Sequence, residues 1–206
     1  MPFRLGTRDG FAAEHGKILV AIMPAENSSA TSPSTNTDFT LPVVVAAAQL
    51  AWHASPSPSV WRKSLYREGG ESGPVTSLVR YDANSRFASH AHPQGEEILV
   101  LDGVFSDETG DYPAGTYLLN PTGSRHAPFS KPGCVLFVHL RQYRGENRRQ
   151  AAINTDLLAW TPGATTDIEQ KLLYAQDGYP EVVTLERWQA GARRSFDIKQ
   201  IGRAHV

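Results

Sequence analysis

Short apolar runs alternate with turn residues between Val75 and Gln142. One of these runs, Ile98 to Leu101, is apolar at consecutive positions, as in strands that are buried on both faces. Gly, Pro, Asp and Asn separate the runs, and turns favour these residues. Short strands at regular spacing, without a long helical pattern, predict an all-β sandwich or small barrel. The strands are predicted at Thr76–Tyr81, Phe87–His92, Glu96–Val104, Gly115–Leu119, His126–Phe129 and Cys134–Leu140.

Composition narrows the class of protein. The chain has 206 residues, and 20 Lys+Arg balance 21 Asp+Glu, so no basic excess favours binding to nucleic acid or to a membrane surface. The longest apolar run, Leu41 to Ala51, is much shorter than the roughly 20 residues of a spanning helix. The single cysteine, Cys134, excludes an internal disulfide and predicts a reducing, cytoplasmic location. We expect its thiol to be buried and inert.

The two ends of the chain differ from its middle in amino-acid pattern. Residues 1–37 contain the polar tract Asn27 to Asn36, and we predict that they are disordered or a mis-assigned N-terminal extension. The last six residues, 201–206, match the translation of a common sequencing adapter and are excluded from the interpretation.

Part of the sequence repeats at an offset of 108 residues. After residue 194 the likeness stops, and Ile198 and Gln200 stand where His90 and His92 would recur. Such self-similarity predicts that 163–200 begins a truncated second copy of the domain at 38–162. The recurring residues are Lys63, Leu65, Tyr66, Gly70, Val75, Thr76 and Arg86, which match Lys171, Leu173, Tyr174, Gly178, Val183, Thr184 and Arg194.

Four residues carry candidate chemistry. His90 and His92 are two apart on a predicted strand, so their side chains project the same way. Glu96 follows a Pro-Gln-Gly turn, and His126 follows a Pro-Thr-Gly turn that can bring a later strand back beside them. Three imidazoles and one carboxylate suit Zn, Fe, Mn, Ni or Co, whereas Ca and Mg prefer oxygen ligands. Two strand histidines alone are as consistent with the polar face of a half-exposed sheet.

These residues resemble the first motif of the cupin superfamily, G-x5-H-x-H-x3,4-E-x6-G. His90, His92, Glu96 and Gly103 fit it with every spacing kept. Asn84 stands at the leading glycine, and Asn is a common substitute where a turn needs positive φ.

The second cupin motif, G-x5-P-x-G-x2-H-x3-N, is also similar. Gly115, Pro121, Gly123 and His126 fit it, and Ser130 replaces the final Asn.

More specifically, the region 38–162 resembles the ChrR-like cupins. The segments that carry this likeness are Glu96–Glu108, Gly110–Tyr117, Pro128–Ser130 and Gly133–Val138. The resemblance implies a bacterial, cytosolic, conical β-barrel of the jelly-roll type. It also implies a metal that is held by His90, His92, Glu96 and His126.

The resemblance also bears on function. In the namesake regulators, the cupin follows an anti-sigma domain with paired cysteines, a pattern that this sequence lacks. Related stand-alone cupins include iron-dependent dioxygenases that cleave small diketones.

Three functions therefore stay open. The first is a metal-dependent oxidoreductase, of the dioxygenase type, that acts on a small carbonyl compound. The second is a non-catalytic sensory or regulatory module, and the third is a barrel that its metal stabilises. The expected cofactor is one divalent transition metal, Zn or Fe(II) first and Mn or Ni next. A small-molecule ligand and a homodimer are the partners considered, and no catalytic residue is assigned. The acids of the hairpin tip, including Asp107 and Glu108, are expected to be a solvated turn.

Overall fold

A computed structural model describes residues 34–38, 43–69, 72–141, 143 and 145–194. The described residues fall into two compact units. The larger unit comprises 34–37 and 51–156, and the smaller comprises 38, 43–50 and 157–194. The predictions for 1–33 and for the last six residues lie outside the described residues.

The larger unit is built from antiparallel strands, which confirms the all-β prediction. A 3-10 helix, Thr155–Leu157, follows its last strand. Within the described ranges, no helix is long and apolar enough to cross a membrane. The strands are β1 (His53–Ala54), β2 (Val60–Arg67), β3 (Val75–Tyr81), β4 (Ser85–Arg86), β5 (His90–Ala91), β6 (Glu96–Asp107), β7 (Gly110–Pro113), β8 (Thr116–Asn120), β9 (Arg125–His126), β10 (Phe129–Ser130), β11 (Cys134–Leu140) and β12 (Ala151–Asn154).

Strand β6 organises this unit because it belongs to two sets of pairings. Its first half lies between β11 and β8, and β8 continues to β12. Its second half pairs with β7 and β10. On the far side of β11, the order continues through β3 and β2 to β1. A bulge interrupts the pairing of β6 with β11 at Leu101, between the pairs Asp102–Val135 and Val100–Leu136. Gly103 has a φ of 71°, and a Cβ there would lie 2.0 Å from the carbonyl oxygen of Gly133, so only glycine fits.

The core of the larger unit lies on one face of β3, β6 and β11. Residues that pair directly across these strands point to the same face. Val79 pairs with Leu136, and Leu136 pairs with Val100. All three are buried, and Phe105 closes the layer. Burial of each such side chain contributes about 1.5–3 kcal/mol. This apolar wall lies behind the candidate site.

Two predicted strands are wrong as continuous elements. Within Phe87–His92 only β5 (His90–Ala91) is a strand, since β4 ends at Arg86, and His126–Phe129 is divided between β9 and β10. Between the short strands, the backbone N–H of Phe87 donates to the carbonyl of Pro128. Pro128 has no N–H to return, so the ladder cannot continue through this point.

The smaller unit holds a three-stranded antiparallel sheet, with the order β13 (Thr161–Pro162), β14 (Ile168–Ala175) and β15 (Val182–Trp188). A 3-10 helix, Ala47–Gln49, also belongs to it.

The bounds of β13 and β14 are those of β1 and β2 moved by 108 residues. A cation-π contact recurs at the same offset, with the amine of Lys63 4.7 Å from the ring of Trp52 and that of Lys171 4.5 Å from the ring of Trp160. Strand β15 is displaced by one residue, so that Val182, not Val183, occupies the register position of Val75. The assignment of 163–200 to a second copy stays a prediction, and 195–200 lie outside the described residues.

Candidate metal centre

The four candidate ligands come together through one short strand pair and one turn. His90 on β5 pairs directly with His126 on β9. His92 follows β5, and Glu96 is the first residue of β6. Between them, Gly95 has a φ of 76°, and a Cβ there would lie 2.9 Å from the Cβ of Tyr143. The turn that brings Glu96 beside His92 therefore requires glycine.

One atom from each of His90, His92, Glu96 and His126 lies within 4.8 Å of the others. The Oε2 atom of Glu96 is 3.4 Å from Nε2 of His92 and 3.6 Å from Nε2 of His126. His92, Glu96 and His126 are at most 7% exposed, and His90 is half-buried. The structure thus places the four residues in the single cluster that their spacing predicted.

Burial and repulsion from neighbouring imidazoles keep His92 and His126 neutral. Burial lowers the pKa of His92 to about 3, and His126 and His90 add to the shift. Burial and His90 also lower the pKa of His126, although Asp107 opposes them. Neutral imidazoles have the lone pairs that a metal ligand needs.

The carboxyl of Glu96 behaves in the opposite way. Burial raises its pKa to about 7, while the hydrogen bond from Asn120 and the charge of Arg62 oppose the shift. Without a cation, the ionised form of this group is therefore costly.

The cluster fits a cation because two of its buried ring nitrogens lack a hydrogen-bond partner. Nε2 of His92 and Nε2 of His126 are buried, and neither makes a hydrogen bond with another described residue. An unsatisfied buried acceptor costs about 1–3 kcal/mol. A divalent metal that accepts these lone pairs and the charge of Glu96 would remove that cost.

The family of the chain follows from a comparison with family models. Residues 40–144 match the model described as the ChrR cupin-like domain. The chain belongs to this cupin family. Its strand arrangement is accordingly that of a cupin-type β-barrel. No curated protein matches the chain.

Several solved structures are similar to part of this cupin. One is the anti-sigma protein ChrR from Rhodobacter sphaeroides in complex with SigE, with 23% identity, a TM-score of 0.38 and coverage of 45% of this chain and 49% of that one. Another is a proposed dioxygenase from Nostoc punctiforme, with 18% identity, a TM-score of 0.49 and coverage of 62% and 53%. A third is an RmlC-like cupin from Shewanella frigidimarina, with 18% identity, a TM-score of 0.38 and coverage of 45% and 84%. This cupin spans about half the length of the first two.

Three contacts behind the ligands orient them. Nδ1 of His126 lies 3.4 Å from Oδ2 of Asp107, and Nδ1 of His90 lies 2.9 Å from the carbonyl oxygen of Ala88. Each contact suits an Nδ1–H donor, which leaves Nε2 as the ligating atom. The Nδ2 amide of Asn120 donates to Oε2 of Glu96 at 3.0 Å.

The expectation of a solvated hairpin tip is wrong for Asp107. Its side chain is 8% exposed, because the β6–β7 hairpin folds over the segment that carries His126. The exposed Glu108 belongs to the same contact, since its Oε1 accepts a hydrogen bond of 2.8 Å from the N–H of Ala127. Nothing in the local sequence distinguishes these acids from those of an ordinary turn, because their partners lie 19 residues away.

A further histidine and the single cysteine lie outside the cluster. His139 is 2% exposed, and its Nδ1 lies 2.9 Å from Oε2 of Glu97, on the opposite face of β6 from Glu96. Cys134 is buried as expected, and burial raises the pKa of its thiol to about 11.

A cavity of about 310 Å³ opens beside the ligands. Its walls include apolar side chains of β3 and β11, such as Val79 and Leu136. His90, His92, Glu96 and His126 all border it, so a small molecule in the cavity would meet the cluster directly.

Proposed function

We propose that this cupin is a metal-dependent oxidoreductase, of the dioxygenase type, that acts on a small carbonyl compound. His90, His92, Glu96 and His126 would hold one divalent transition metal, with Fe(II) or Zn expected first and Mn or Ni next. The observation that carries the proposal is that the buried donor cluster borders a cavity of about 310 Å³. The single buried Cys134 supports a reducing, cytoplasmic setting.

The residues of the site have separate tasks in this proposal. A redox-active metal supplies the electron chemistry when it is bound. The three histidines would hold that metal through ring nitrogens, and Asn120 would keep the carboxylate of Glu96 turned towards it. The apolar walls of the cavity exclude water from the reacting carbonyl group.

A second candidate is a non-catalytic sensory or regulatory module, and the number of donors favours it. Four protein ligands fill a tetrahedral shell, as in structural zinc sites, whereas catalytic sites usually keep a position open. In that case a change in metal occupancy would alter a contact with a protein partner.

The experiment that separates the two begins with metal analysis of protein purified without a chelator. Oxygen uptake is then measured with Fe(II) restored and a small diketone added. Near-stoichiometric iron and diketone-dependent uptake would support the oxidoreductase. Tightly bound zinc without uptake would favour the regulatory module, and absence of any bound metal would refute both.

A further inference from the structure

Two arginines of strand β2 line the cavity beside apolar residues of the neighbouring strands. On β2, Arg62 pairs with Val79, and Val79 pairs with the buried Leu136. Residues in one cross-strand row share a face of the sheet, so Arg62 points to the same side as these two apolar residues. It lines the cavity accordingly. A charged residue is rare in an inward row of this kind.

A β-bulge brings a second arginine to the same side. Between Ser64 and Tyr66 the register of β2 against β3 shifts by one residue. Without this bulge, alternation would turn Tyr66 inward and Arg67 outward. With it, Arg67 joins the row that passes through Val75 and Leu140 to Glu96, and it lines the cavity.

The charges that line the cavity are predominantly positive. Arg62, Arg67 and Arg141 border it, whereas Glu96 is the one acid among the described lining residues. Arg62, Tyr81 and Glu96 border the same cavity.

The strand arrangement itself does not need these guanidinium groups. Strand β14 has the same bounds as β2 at an offset of 108, and it has a bulge at the matching position. It carries Gln170 where β2 has Arg62, and Ala175 where β2 has Arg67. The two arginines thus occur in the unit that holds the His/Glu cluster, and the pairing of a strand such as β2 with its neighbour forms without them.

We propose that the cavity binds a small carbonyl compound that bears a carboxylate, and that Arg62 and Arg67 bind this carboxylate. The inference rests on the proposed function, because the carbonyl end would lie at the metal. Guanidinium groups bind carboxylates through paired, charge-assisted hydrogen bonds, which orient the ligand as well as attract it. A cavity of about 310 Å³ is at the small end of ligand sites, so a compound of few carbon atoms fits it.

Two probes of nearly equal shape test the charge requirement. Acetoacetate and acetoacetamide share the 3-oxo group and differ in one terminal group, a carboxylate in one and a neutral amide in the other. Their dissociation constants are measured by calorimetry on the zinc-loaded protein, which prevents oxidation, and again after the metal has been removed. The variants are Arg62→Gln and Arg67→Ala, which introduce the residues found on β14, and Arg62→Lys, which keeps a positive charge.

The matched control is Arg80→Gln. Arg80 lies next to Val79 on β3 but on the opposite face, where its guanidinium is 5.0 Å from the ring of Trp52. Thermal unfolding of each variant shows that it is folded.

We expect Arg62→Gln and Arg67→Ala to weaken acetoacetate binding about tenfold or more, since hydrogen bonds to charged groups are worth about 1.5–3 kcal/mol. Acetoacetamide binding should change less than about threefold. Arg62→Lys keeps the charge but loses the paired hydrogen bonds, so its affinity for acetoacetate should lie between those of the native protein and Arg62→Gln. Arg80→Gln should retain most of the affinity for acetoacetate. Equal losses for both probes, or an equal loss in Arg80→Gln, would overturn the inference. If the protein binds no zinc, the proposed function fails, while the comparison on metal-free protein still decides whether the arginines select the carboxylate.

Discussion

Replacing Asp107 by Asn removes the negative charge behind His126 and keeps a side chain of almost the same size. Oδ2 of Asp107 lies 3.4 Å from Nδ1 of His126. The other oxygen, Oδ1, is held by the N–H of Thr109 at 2.8 Å and by its hydroxyl at 2.6 Å. Asp107 is therefore a fixed acceptor. It favours the tautomer of His126 that carries its proton on Nδ1, and this tautomer leaves a lone pair on Nε2, the nitrogen nearer Glu96.

The expected size of the effect follows from the burial of this pair. The side chains of Asp107 and His126 are 8% and 7% exposed, so water screens their interaction only weakly. Burial opposes ionisation of Asp107, but the hydrogen bonds from Thr109 and the contact with His126 outweigh it, and its pKa is lowered. The carboxylate therefore stays charged at neutral pH. Loss of such a partner behind a ligating histidine typically lowers metal affinity about 10–100-fold, or about 1.4–2.7 kcal/mol.

The assay is competition for zinc between the protein and a chromogenic chelator at pH 7. Asp111→Asn is the matched control, because it removes the same charge from the same hairpin. Asp111 accepts a hydrogen bond of 2.6 Å from the hydroxyl of Ser106 and belongs to neither the cluster nor its orienting contacts. Equal affinities of Asp107→Asn and Asp111→Asn for zinc would refute the role given to Asp107. Thermal unfolding of the metal-free variants shows whether a loss reflects the fold instead.

Three further predictions concern other parts of the domain. His92→Ala should lower metal content about tenfold or more, since an outer contact alone can cost that much; unchanged occupancy by elemental analysis would contradict its place in the cluster. Gly103→Ala should lower the free energy of unfolding by about 2 kcal/mol or more in urea titrations, because of its positive φ and the 2.0 Å approach to Gly133. Gly110→Ala is the control, because no atom lies within 4 Å of the added Cβ, and it should change the free energy of unfolding by about 0.5 kcal/mol at most. If the two variants lost equal free energies of unfolding, the steric explanation for Gly103 would be wrong. With a pKa of about 11, the thiol of Cys134 should react with a disulfide reagent at pH 8 at least about a hundredfold more slowly in the folded protein than in urea, and equal rates would show that it is accessible.

Three of the four residues in the cluster were predictable because they lie close together in the sequence. Alternation places His90 and His92 on one side of a strand, and the turn through Gly95 places Glu96 beside them. The position of His126 followed from the turn before it and from the resemblance to cupin motifs. The structure brings all four together, while their binding of a metal stays a proposal.

Features that depend on distant parts of the chain were not predictable in the same way. Asp107 looks like a turn residue in the sequence, and only the fold brings the hairpin against His126. Arg67 enters the cavity because a bulge reverses the alternation of β2, and no residue type announces that bulge. The break before β5 in the predicted strand Phe87–His92 likewise depends on Pro128, which approaches from another part of the chain.

The direct pairing of His90 with His126 has a consequence for how the protein is made. A ribosome delivers His90, His92 and Glu96 in close succession, but it must complete β6, β7 and β8 before His126 is synthesised. Until then the growing chain offers an ion at most three of its four donors. An ion could therefore meet all four residues only after translation has passed β9, and the wall beside them is completed later, when β11 pairs with both β3 and β6.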